Sequence, residues 1–178
     1  MISDEQQITN LVYAVSHHRD RGDFDKVADL FAHATFQTHY PAGYPGVGVD
    51  PERYKTRGPG GHGVQEGTEQ VRDIFKGLTR IYDDGLPHTH YVVSNLMIEI
   101  DDSGDKAFAW SYYTVFQSLP DFALQPISAG RYEDVFERVD GKWRFTSRDI
   151  YADHSADLSK HMYFDPLEYG RRFNEAKP

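Results

Sequence analysis

The stretch Tyr13–Phe31, YAVSHHRDRGDFDKVADLF, holds a helix end, a glycine break and a second helix, with Asp20 at the junction. Working back from it, Ile8, Leu11, Val12 and Val15 recur at helical spacing and make one apolar stripe. Asp4 and Gln7, three residues apart, form a capping box at the start of this helix. Tyr13, His17 and Asp20 follow at spacings of four and three, so they share a face beside the stripe and are expected to turn toward the interior. Gly22 ends the helix, and Asp23 caps a second one carrying Phe24, Val27, Leu30 and Phe31. A carboxylate in the last turn of a helix meets the negative end of the dipole, where it is slightly disfavoured. Asp20 therefore points either to a function or to the turn that aspartates commonly start.

Forward from the same stretch, Ala34–Tyr40 has the pattern of a strand. Residues 41–68 then hold eight of the 15 glycines and four of the nine prolines. So long a segment without periodicity is a functional lid or an inserted loop. Its glycines lack a strand–loop–helix setting and no Gly-Lys-Ser/Thr follows, which excludes a phosphate-binding loop. His62 within it is expected in solvent. A third helix starts at Thr68 and buries Val71, Ile74, Phe75, Leu78 and Ile81. The rest alternates as strands. His88–Ile100 and Lys106–Gln117 flank the turn DDSGD. The loop SLPDFALQP leads to Ser128–Val139, and Asp140-Gly141 turns into Lys142–Tyr151. Helices followed by a long antiparallel meander predict an α+β fold, a strongly curved antiparallel sheet wrapped around helices. The expected single domain is 1–152, with 41–68 as its insertion. Residues 153–178 form a tail, either a short helix or an arm over a neighbouring subunit.

Bulk composition narrows the function classes. A formal charge of −9 without a basic run argues against nucleic acid or an anionic membrane as partner. No stretch is apolar for long enough to span a bilayer and the N-terminus lacks a signal peptide, so a soluble cytoplasmic protein is expected. The absence of cysteine removes disulfides, thiolate nucleophiles and cysteine metal sites. Aromatic residues make up 14% of the chain, with 12 Tyr and 11 Phe, which suits either a cavity lining or an aromatic core and oligomer interface.

The order of these elements, with RDRGDFDKVADLF, THYVVSNLMIEID and GRYEDVFERVDGKWRF, resembles the SnoaL-like branch of the nuclear transport factor 2-like superfamily over roughly residues 5–151. This superfamily includes scytalone dehydratase, hexachlorocyclohexane dehydrochlorinase, bile-acid 7α-dehydratase, ketosteroid isomerase and polyketide cyclases. The resemblance implies a cone-shaped cavity for a hydrophobic, aromatic small molecule and acid–base chemistry without cofactor or metal. It also implies a homo-oligomer, trimer or dimer, with the open sheet face between subunits.

In dehydratase-like members an Asp near the end of the first helix orients a His on the first long strand. Asp20 matches that Asp, while the position four before Asn95 holds Tyr91, with His90 beside it. Consecutive strand residues point to opposite faces, so a bulge brings His90 inward or Tyr91 replaces the base. A His bonded to a carboxylate is a general base poised near neutrality. A Tyr would instead donate to a developing oxyanion or act as acid, leaving a desolvated Asp20 as base. Catalysis is thus expected from Asp20, His90 and Tyr91. Substrate contacts are expected from Tyr13, His17, Tyr40, Asn95, Tyr112 and Arg131, where Arg131 binds a substrate oxygen or pairs with a nearby carboxylate. The expected reaction is elimination of water, aldehyde-releasing C–C cleavage or isomerisation. The alternatives are cyclisation or epoxide opening, the non-catalytic small subunit of a ring-hydroxylating dioxygenase, and a ligand-binding protein.

Overall fold

The computed structural model describes residues 2–39 and 64–163. Tyr40, His62, most of the Gly/Pro-rich segment and the chain beyond Tyr163 lie outside the described residues. Helix α1 spans Asp4–Asp20 and α2 spans Phe24–Leu30. Ser3, one residue before the expected cap, accepts the Gln6 N–H at the start of α1, and Asp4 instead bonds the Gln7 side chain. Strands β1, Thr35–His39, and β2, Gln65–Glu66, precede helix α3 at Gly67–Leu78. Four long strands complete the chain: β3 Thr89–Ile100, β4 Lys106–Leu119, β5 Phe122–Val139 and β6 Lys142–Ser155.

The six strands form one sheet in the order β2-β1-β6-β5-β4-β3. Strands β3 to β6 are the expected antiparallel meander. Strand β1 departs from an all-antiparallel sheet, because it pairs parallel to β6, Thr35 beside Ser147 and His39 beside Tyr151. The long loop expected before β5 is instead a tight turn at Pro120 and Asp121, and β5 starts six residues earlier than the alternation suggests. Pro126 is tolerated inside the strand because it sits at a register shift, opposite Phe116. Further shifts at Ser94/Met97 and Ala129/Arg131 increase the local twist and help curl the sheet.

The helices fill the concave side of that sheet. From α1 come Ile8, Val12 and Val15, from α2 Phe24 and Val27, and from α3 Val71 and Phe75, all buried. The first half of the inner row of β4 is made of small residues, Ala107, Ala109 and Ser111, which leaves room for the helices above, and the row continues with Tyr113, Val115 and Gln117. Its outer row carries the large ones: Phe108 and Tyr112 are exposed, with Trp110 between them. Beneath the inner face, Arg148 and Asp134 form a bidentate pair at 2.7 Å and 2.6 Å, each side chain 1% exposed. The guanidinium lies 4.3 Å over the Tyr132 ring.

The chain after Asp153, expected as a separate tail, continues β6 to Ser155 and then folds back onto its own domain as far as Tyr163. The Lys160 carbonyl accepts from Tyr82 Oη at 2.6 Å and from Gln117 Nε2 at 3.0 Å. The His161 carbonyl accepts the Arg80 N–H at 2.8 Å, and Thr79 and Met162 form a β-bridge. Leu158 and His161 are each 4% exposed. Among the described residues this segment supplies one wall of the cavity, through Leu158, His161 and Met162.

Candidate active site

The cavity lies between α1, α3, the inner sheet face and the returning C-terminal segment, is open on one side, and holds about 100 Å³. Its walls are mostly apolar, including Phe36, Ile74, Phe75, Val115, Ile150 and Leu158. The titratable groups converge from different elements: Arg19 from α1, Tyr91 from β3, Tyr113 from β4, Tyr132 from β5 and His161 from the segment after β6, while Thr38, Gln65, Thr79, Ser128 and Ser155 add neutral polar groups to the lining.

Arg19 owes its place to helix phase. Ile8, Val12 and Val15 form the buried stripe of α1, and the next position on that stripe is residue 19. Its guanidinium carbon sits 4.0 Å from the centre of the Tyr91 ring and 4.8 Å from that of Phe75, a cation held between aromatic faces. Nη2 donates to Tyr91 Oη at 2.5 Å. On its other side Tyr91 Oη meets His161 Nε2 at 3.2 Å. Tyr113 and Tyr132 stack beside this row with ring centres 4.5 Å apart.

Electrostatics sort these groups by protonation. Burial, reinforced by the Arg19 charge, pushes the His161 imidazole down to about 3, so the ring is neutral. Its Nδ1 is buried and makes no hydrogen bond among the described residues. Burial drives the Tyr91 and Tyr113 phenols far above their ordinary range and Tyr132 upward as well, with Arg19 opposing in each case. The cavity wall thus combines one cation, three protonated phenols and a neutral imidazole. Among the described residues no carboxylate lines it.

Asp20 stands behind this wall rather than in it. Its oxygens accept the Tyr91 backbone N–H at 3.1 Å and 3.0 Å and the Thr89 hydroxyl at 3.1 Å. Burial raises its pKa, and these hydrogen bonds work against that rise. Of the pair His90 and Tyr91, it is the Tyr that enters the cavity. His90 points outward with its side chain 76% exposed and its Nδ1 3.8 Å from Asp20. The bulge that would turn His90 inward comes later in the strand, between Ser94 and Met97.

The expected substrate contacts are not brought together either. Tyr13 and His17 are exposed, because they lie off the buried stripe of α1. Asn95 sits exposed in the β3 bulge with φ 52°. Tyr112 is 55% exposed on the outer sheet face. Arg131 is on the same face, 3.4 Å from Asp153 and 4.3 Å over the Tyr151 ring, so the carboxylate pairing is the one realised. Tyr40 lies outside the described residues. Beside the expected Tyr91, the cavity takes Arg19, Tyr113 and Tyr132, the sequence neighbours of Asp20, Tyr112 and Arg131. One step along a strand reverses the face, and one step along a helix turns the side chain by about 100°. Arg19 was recoverable by extending the Ile8–Val12–Val15 stripe by one turn. His161 had no comparable signal, since its burial depends on the return of the chain after β6.

The chain belongs to the SnoaL-like domain family, whose model matches residues 1–149. No curated protein matches the sequence. Among solved structures, a protein of unknown function with a cystatin-like fold from Nostoc punctiforme is 20% identical, covering 87% of this chain and 95% of its own, with a TM-score of 0.62. A provisionally assigned scytalone dehydratase from Novosphingobium aromaticivorans is 18% identical, covering 86% and 87%, with a TM-score of 0.59. The beta subunit of a provisionally assigned aromatic-ring-hydroxylating dioxygenase from the same organism is 18% identical, covering 85% and 90%, with a TM-score of 0.60. At these identities the likeness concerns the fold, which hosts chemistry and subunit roles alike.

Proposed function

We propose that this SnoaL-like chain is a cofactor-independent acid–base lyase or isomerase acting on a small hydrophobic molecule. The observation that carries the reading is the row Arg19–Tyr91–His161, its Tyr and His buried, with contacts of 2.5 Å and 3.2 Å along one cavity wall. In elimination of water, the Tyr91 hydroxyl gives its proton to the departing oxygen, and Arg19 stabilises the phenolate left behind. The His161 imidazole takes the proton from the adjacent carbon, and the carbon–carbon double bond forms as water leaves. Imidazolium beside Arg19 is unfavourable alone, but beside a Tyr91 phenolate it is compensated, so the two transfers are coupled. A proton passing from His161 Nε2 to Tyr91 Oη restores both neutral groups. Asp20 serves here as a positioning residue that holds the Tyr91 backbone. His90 has no part in this reading.

The test uses β-hydroxy ketones with one ring, following loss of water by mass and growth of enone absorbance. Tyr91→Phe should lower turnover by about a hundredfold while melting near the wild-type temperature. Full activity in Tyr91→Phe would reject the assignment.

A second reading, a subunit without chemistry, draws on the outer sheet face, where Val92, Met97, Phe108 and Tyr112 are exposed together. Co-purification with a Rieske-type large subunit would favour it. On either reading that face is suited to joining copies of the chain in a homo-oligomer, trimer or dimer.

A further inference from the structure

We infer that the cavity is a receptor for a carboxylate, so that the natural ligand of this protein is a small monocarboxylic acid with a compact apolar body. The inference rests on the cavity described above and deepens the proposed reaction by naming its substrate class. Arg19 presents five N–H donors, and among the described residues only one of them, to Tyr91 Oη, has a hydrogen-bond partner. No Asp or Glu among the described residues lies within ion-pair distance of it. This partly buried guanidinium has no counter-ion among the described residues, and a carboxylate accepting two parallel N–H bonds would supply one.

The surrounding groups fit the same ligand. Tyr91, Tyr113 and Tyr132 are protonated phenols and can donate to an anionic oxygen. His161 is neutral, so its ring adds no second positive charge beside Arg19. The apolar remainder of the lining, from Phe75 to Leu158, suits a hydrocarbon body. The space of about 100 Å³ bears on its size. A dry cavity of about 150 Å³ takes a benzene molecule, so the part of the ligand within the cavity compares with one small ring or a short branched chain.

Titration calorimetry on the full chain with butyrate and benzoate, each against its neutral amide, tests this without requiring turnover. Either acid should bind the wild type at least about tenfold more tightly than its amide, the scale of a charge-assisted hydrogen bond. Arg19→Gln should abolish the preference, and Arg19→Lys, which keeps the charge, should retain part of it. The Lys variant and the wild-type comparison decide the matter if Arg19→Gln fails to fold. Equal binding of acid and amide, no binding of either acid, or loss of the preference in a folded Arg19→Lys would each overturn the inference. A protein that prefers acids but turns none over keeps the inference and loses the lyase reading. Turnover of neutral ketones without acid preference does the reverse.

Discussion

Both carboxylate oxygens of Asp20 receive the backbone N–H of Tyr91, at 3.1 Å and 3.0 Å, while the Tyr91 side chain turns away from Asp20 to meet Arg19. The end of α1 thereby fixes the start of β3, and two neighbouring residues of one helix hold the two ends of one tyrosine. Burial raises the Asp20 pKa above its ordinary value of 3.8, so the folded protein holds this proton more tightly than the unfolded chain. Stability from this group is complete below that ordinary value and is lost as pH rises through the folded one. Urea unfolding between about pH 3.5 and 6 should therefore show the wild type losing stability relative to Asp20→Asn as pH rises. A pH-independent difference would contradict a raised Asp20.

His161 has the opposite sign. Its imidazole takes a proton near 6.5 when unfolded and only at about 3 when folded, so stability is full above 6.5 and is lost as pH falls toward 3. Against His161→Gln, the wild type should weaken progressively in acid. Its ring resonances should stay those of a neutral imidazole across physiological pH, and a ring titrating near 6.5 would show that the segment after β6 does not wall the cavity.

The Asp134–Arg148 pair should be costly to break and cheap to replace. Asp134→Ala leaves a buried guanidinium unpaired and should lose about 3–5 kcal/mol in urea unfolding. The double variant Asp134→Leu with Arg148→Met should lose less than either single change. Equal losses would mean the pair is held by something other than its mutual charge.

Gly130 lies at the β5 bulge, where a Cβ would stand 1.9 Å from the Tyr151 carbonyl oxygen and 3.0 Å from the Tyr113 ring. Gly130→Ala should cost about 1–3 kcal/mol, as overpacking does, and displace the Tyr113 phenol from the cavity wall. An unchanged melting temperature would mean that the β5 and β6 backbones separate there without penalty.

The outer face should carry self-association. Static light scattering at micromolar concentration should give two or three times the 20.4 kDa chain mass. Tyr112→Lys, which places a charge in the middle of the exposed aromatic row, should lower it. A monomer mass for the wild type would leave that face without a partner of its own kind.

The α+β class, the three helices and the β3–β6 meander were legible in the chain, because periods of 3.6 and 2 record which residues are buried together. Asp20 at the helix end was legible as a position of consequence, though not as a strand anchor. Which face of each strand looks inward was not legible. The large aromatics Phe108, Trp110 and Tyr112 suggest a core row, yet the concave side is taken up by helices and has room only for Ala107, Ala109 and Ser111 there. Only the packed structure decides between the two rows, since alternation states that the faces differ and not which one is covered. The same holds for His161, whose neutrality, burial and contact with Tyr91 follow from the return of residues 156–163 onto the sheet and helices.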